Sequence, residues 1–83
     1  MGSLMCPSTK RVRHLRDYVI FLEFDNDEKG QLDMKPFLNF GVFRKLQDPE
    51  LFVQVRVAFD TVEWPNGVDL DPAFVYEKCE KVT

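Results

Sequence analysis

The stretch Val62-Glu63-Trp64-Pro65-Asn66-Gly67-Val68-Asp69-Leu70-Asp71-Pro72 holds the chain's single tryptophan, its clearest reversal and its clearest helix start. Val62, Trp64, Val68 and Leu70 alternate with more polar residues on either side of Pro65-Asn66-Gly67. Two short half-buried strands joined by a tight turn read this way. Asp71 is placed to cap the free amides of a helix opening at Pro72, where a missing amide hydrogen costs little. A hairpin running straight into a helix marks an α+β fold.

Upstream, Val53, Val55, Val57 and Phe59 alternate with Gln54, Arg56 and Ala58, which predicts a strand over residues 53–59 that turns at Asp60-Thr61 into the first arm of the hairpin. Residues 18–24, Tyr-Val-Ile-Phe-Leu-Glu-Phe, are aromatic and β-branched on both faces and predict a central strand covered on each side, by a helix or a second subunit. Asp25 to Gly30 form a polar reversal in which Gly30 is expected to supply the positive φ, with Gln31 and Leu32 pairing back antiparallel. Asp33 then opens a short helical turn containing Pro36, with Phe37, Leu38 and Phe40 on its apolar side. Gly41 separates it from a second turn built on Val42, Phe43 and Leu46, and Asp48-Pro49 caps another helix start. The predicted order is β-β-short α-short α-β-β-β-α around a small antiparallel sheet, and the closing helix uses Phe74, Val75 and Cys79 against it.

The 83 residues make one small domain, and eight phenylalanines supply a core from a few large rings. Residues 1–9 read as a flexible tail and 10–83 as a single domain, with self-association a candidate for so small a fold. No apolar run approaches the roughly 20 residues that cross a bilayer, and the opening lacks the apolar core of a secretion signal, so a cytoplasmic protein with no membrane partner is expected. Eleven basic against fourteen acidic side chains give a net charge of −3 and no overall pull on phosphate backbones. Lys10, Arg11, Arg13, His14 and Arg16 nevertheless form a basic run with strand character, read first as a solvated edge with mixed pairing and second as a candidate patch for nucleic acid or an acidic partner. Cys6 and Cys79 read as free thiols in a reducing compartment.

Glu63, Asp69 and Asp71 around Trp64 and Asn66 are the one carboxylate group worth testing for acid–base chemistry. Capping by Asp71 and strand alternation at Glu63 explain the spacing better, and no enzyme activity is expected. Asp25, Asp27 and Glu28 lack the twelve-residue calcium loop with its terminal glutamate, a single histidine leaves no zinc motif, and no glycine loop cradles phosphate. No cofactor or metal is expected. Trp64 is read first as a core ring whose indole nitrogen seeks a partner, and second, with Phe37, Phe40 and Phe43, as a protein interface.

Tyr18 with its following strand, Gly30 before Leu32-Asp33, Gly41-Val42-Phe43, Leu46-Gln47-Asp48-Pro49 with Phe52, and the block from Val62 to Pro72 followed by Tyr76 together resemble the domain-of-unknown-function family 2442 over about residues 11–77. The resemblance implies a compact α+β domain, widespread in bacteria and often a small standalone protein. Some relatives carry a following helix-turn-helix domain, and some sit beside small proteins in arrangements that look like toxin-antitoxin pairs. The family brings no established catalytic residues. The resemblance spans only the first domain of such relatives, so the DNA binding of the longer ones is not expected to carry over, and the Asp60-Thr61 turn is shorter than is common among them. The leading expectation is a non-catalytic protein-interaction or regulatory module, antitoxin-like in role; the competing one is a nucleic-acid-binding accessory protein using the basic strand.

Overall fold

Strand β2 (Val19–Phe24) is the centre of the architecture, because its alternation puts Ile20, Leu22 and Phe24 fully inside while Val19, Phe21 and Glu23 take the other face. In the computed structural model, which describes residues 6–82, β2 pairs antiparallel with β1 (Thr9–Arg16) on one side and β3 (Lys29–Asp33) on the other. A two-residue strand β6 (Glu80–Lys81) completes the sheet in the order β1-β2-β3-β6. Between β3 and β6 the chain makes a 3-10 turn (Lys35–Phe37), a 3-10 helix (Gly41–Leu46) and α1 (Pro49–Phe52). The hairpin of β4 (Arg56–Ala58) and β5 (Thr61–Glu63) and the helix α2 (Pro72–Lys78) follow. The α+β class, the antiparallel pairing and the short helices are those the sequence predicts.

Both long hairpin turns use one device. Phe24 N–H donates to Glu28 O at 2.9 Å and Asp27 N–H to Phe24 O at 3.1 Å, and the same pair of bonds joins Trp64 to Val68 (2.8 Å) and Gly67 to Trp64 (3.0 Å). A three-residue loop of this kind needs a left-handed third residue. Gly67 meets that need with φ 91°, whereas in the first turn the position falls to Asp27, φ 72°. The positive φ expected of Gly30 is therefore at Asp27. Gly30 lies inside β3, where it is required by the close approach of Cys79.

The core is sealed by Trp64, Val62, Val68 and Leu70 from the hairpin region, Val75 and Cys79 from α2, and Met34, Leu38, Leu46 and Phe52 from the intervening turns. Phe52 is its aromatic hub. Its ring stands edge-on to Tyr18 (5.0 Å between centroids) and His14 (6.0 Å) and lies tilted against Trp64 (5.4 Å). Asp48 caps α1 as predicted, accepting from Glu50 N–H at 3.0 Å, and Asp33 accepts from Lys35 N–H at 2.9 Å. Asp71 occupies the N-cap of α2, but its side chain accepts no capping bond, so Pro72 and tertiary burial of Val75 set that helix start.

Three extents differ from expectation. The strand predicted over 53–59 is confined to Arg56–Ala58, because α1 ends in a turn through Val53 and Gln54 and because Phe59 leaves the apolar face to form the tight turn with Asp60. The third strand of the meander is a single bridge between Glu63 and Asp69. Conversely, the sheet gains two strands over the predicted order, β1 ahead of the strand predicted at residues 18–24, and β6, too short for periodicity to mark. The tail expected over 1–9 lies outside the described residues up to Met5. Its last two residues are held, since Ser8 and Asp25 bond each other's backbone and Thr9 opens β1 with its N–H on Asp60 O.

Candidate functional site

The loop from Leu38 to Gln47 is the most deliberately held irregular segment. Gln47 Nε2 donates to Leu38 O at 2.7 Å and to Asn39 Oδ1 at 3.3 Å, closing the loop on itself. Tyr18 OH donates to Gln47 O, and Asn66 Nδ2 donates to Lys45 O at 3.2 Å, which ties the loop to the turn between β1 and β2 and to the Pro-Asn-Gly turn. Within this clasp Gly41 takes φ 51°, a conformation in which any side chain is strained, and the chain reverses directly after Phe40. The result is that Leu38 and Leu46 point into the core while Phe40 is 67% and Val42 51% exposed. Phe37 and Phe43 are half-buried, each packed on Phe74 of α2 at 5.1 and 5.7 Å. Of the four residues expected at an interface, three thus share one loop region.

Trp64 is not among them. Its ring is 1% exposed and its Nε1 donates to Phe52 O at 2.9 Å, so the core reading holds and no edge faces a partner. A residue the sequence reading placed inside takes the opposite position: Phe59 is 100% exposed at the tip of the β4 and β5 hairpin, with φ 57°. The signal that finds it is the pairing arithmetic. With Ala58 opposite Thr61, only Phe59 and Asp60 remain for the turn, and such turns take a left-handed first residue.

The basic run is split by the strand. Arg11 stands opposite Glu23, Arg13 opposite Phe21 and Arg16 opposite Val19, so all three share the outer face of the sheet. His14 is opposite Ile20 on the inner face, against Phe52, with Nε2 bonded to Asp17 O at 2.9 Å. It therefore leaves the patch. Arg13 stacks over the Phe21 ring, 5.5 Å from its centroid, and Lys10 lies 4.0 Å from carboxylate oxygens of both Glu23 and Asp27.

The carboxylates tested for catalysis do not converge on a shared pocket. Glu63 Oε2 accepts from Arg56 across the hairpin at 2.7 and 3.1 Å, and Asp69 and Asp71 are exposed. Among the described residues no group of three or more His, Cys, Asp or Glu side chains is placed to hold a metal ion, and no helix is long and apolar enough to cross a membrane. Cys6 and Cys79 are free thiols.

One polar cluster was not read from the sequence. Tyr76 OH donates to Glu28 Oε1 at 2.5 Å, Asn26 donates to the same oxygen, and Lys81 Nζ lies 3.9 Å from the Tyr76 ring centre while donating to Tyr76 O. The tyrosine bond, then the Asn26 bond, hold the Glu28 carboxyl below its ordinary pKa, and the same bond to Glu28 raises that of Tyr76. A carboxylate so lowered stabilises the fold above its unfolded pKa, and the contribution is lost as pH falls through the folded value. Tyr76→Phe is expected to raise the Glu28 pKa in a carboxyl-detected NMR titration. The stability difference from wild type is expected to be present at neutral pH and to shrink as Glu28 protonates; an unmoved Glu28 titration would show that the bond is not formed in solution.

With the geometry in place, comparison with known families is decisive for membership: the profile of DUF2442, described as a protein of unknown function, matches residues 9–81. The chain belongs to the DUF2442 family. The match reaches further at both ends than the resemblance legible over residues 11–77, taking in all of β1 and β6. No match emerged among curated proteins or among solved structures.

Proposed function

We propose that this DUF2442 domain is a small, non-catalytic protein-interaction module that regulates a partner protein in the cytoplasm, an antitoxin-like role for a standalone bacterial protein. One observation carries the reading: Phe40 and Val42 are held outward from a loop clasped at both ends, beside the half-buried rings of Phe37, Phe43 and Phe74. Exposed aromatic and aliphatic groups on a fixed backbone concentrate binding energy at low ordering cost. Lys35, Arg44 and Lys45 lie exposed in the same segment and add a polar rim.

The test is crosslinked affinity capture from native-host lysate with wild type and Phe40→Asp in parallel, supported by light scattering to detect a second copy as the partner. Phe40 is exposed, so the variant is expected to keep the wild-type circular dichroism while losing a stoichiometric protein partner, or the dimer, that wild type shows. Equal capture by both proteins, or capture of nucleic acid alone, would overturn the reading.

A further inference from the structure

Strand β1 carries two register shifts, between Thr9 and Arg11 and between His14 and Arg16. In a regular strand Lys10 and Arg11 would point to opposite faces, and so would Arg13 and Arg16. An extra residue at each irregularity re-aims the chain. Arg11, Arg13 and Arg16 all come to stand opposite outer-face residues of β2, and Lys10 reaches the outer-face Glu23. Four of the chain's eleven basic side chains are gathered in this stripe, leaving seven elsewhere against fourteen acidic ones. Among the described residues Arg11, Arg13 and Arg16 form no ion pair. A hollow of about 270 Å³ opens between Arg11, Arg13, Phe21 and Glu23.

We propose that this outer face of β1 and β2 is a docking surface for an acidic, extended segment of a partner protein, with Arg11, Arg13 and Arg16 holding its carboxylates and Phe21 forming an apolar floor. The proposal rests on the interaction-module reading and names the chemistry of the partner. The stripe runs along the strand pair for roughly 15 Å, and alternate residues of an extended segment repeat at the spacing that separates Arg11 from Arg13. Arginine forks match carboxylates in two parallel hydrogen bonds. A second copy docking through the same stripe would oppose cation to cation. A nucleic acid fits less well: the acidic excess elsewhere on the molecule repels a long polyanion, and Phe21, the aromatic group of this face, lies beneath Arg13 rather than open to a base.

Fluorescence anisotropy tests it with three labelled probes: a ten-residue peptide alternating glutamate and alanine, its lysine counterpart, and a ten-nucleotide single strand. Wild type is expected to bind the acidic peptide saturably and more weakly as salt rises. Arg11→Gln/Arg13→Gln/Arg16→Gln, checked for folding by circular dichroism, is expected to lose about tenfold or more in affinity. Should the triple variant fail to fold, Arg11→Gln alone, at an exposed side chain, is expected to weaken binding measurably. No saturable binding of the acidic peptide, equal binding by the folded arginine variants, or tighter binding of the oligonucleotide would overturn the proposal. The first of these with Phe40-dependent capture intact would remove this surface and leave the module reading standing.

Discussion

Trp64→Ala is expected to lower the unfolding free energy by about 4 kcal/mol, seen as a large drop in the urea midpoint with little change in slope. Two losses add. The ring is wholly buried and packs at 5.4 Å on Phe52, itself the hub for Tyr18 and His14, so its removal leaves a cavity against that hub. The indole N–H also donates to Phe52 O at the end of α1, which would keep only the longer 3.3 Å bond from Val55 N–H, and a hydrogen bond lost in this way costs about 0.5–1.5 kcal/mol. Trp64→Phe separates the two, since it keeps most of the ring and removes the donor, and it is expected to cost about half as much. A domain of this size has on the order of 5–10 kcal/mol in hand, so the alanine variant approaches partial unfolding near body temperature. An unchanged midpoint would place the ring outside the core.

The same residue explains why much of the fold is legible in the sequence. Trp64, Val62, Val68 and Leu70 alternate because the pleat demands it, and Pro65-Asn66-Gly67 supplies the three conformations its turn needs, ending at φ 91° on the one residue type that takes it freely. Tyr18 to Phe24 and the cap at Asp48 are legible for the same local reasons. What escapes is set by distant contacts. Asp71 has the chemistry of a cap but makes no capping bond. Gly30 looks like a turn residue and is instead a point of close approach. The two irregularities of β1 decide which cations share a face, yet they arise from pairing with β2 and leave no mark in the run Lys10-Arg11-Val12-Arg13-His14-Leu15-Arg16. Of the candidate site, the loop aromatics and the arginines were legible as residue types. The exposure of Phe59 and the departure of His14 required the strand register.

Gly30→Ala tests that closeness directly. An added Cβ would lie 2.9 Å from Cys79 Sγ and 3.0 Å from Glu80 O, both shorter than a carbon comfortably allows, and the second is backbone. Glycine to alanine in an ordinary strand conformation stabilises a protein by about 0.4–1 kcal/mol through the unfolded chain. Overpacking here costs more, about 1–3 kcal/mol, so a net loss of about 1–2 kcal/mol is expected. The element that gives way is β6, which holds only Gly30 opposite Lys81 and Gln31 opposite Glu80, with Val82 N–H on Lys29 O. Burial now raises the pKa of the Cys79 thiol. If β6 is displaced, that thiol becomes accessible, and in a Cys6→Ser background its labelling by a thiol reagent should speed up at the same time as Val82 amide protection falls. Cys79→Ala removes the nearer contact but leaves the carbonyl, so the cost of Gly30→Ala is expected to fall by about 1 kcal/mol in that background rather than vanish. A stabilised Gly30→Ala protein with unaltered thiol reactivity would mean that β3 and β6 have room between them.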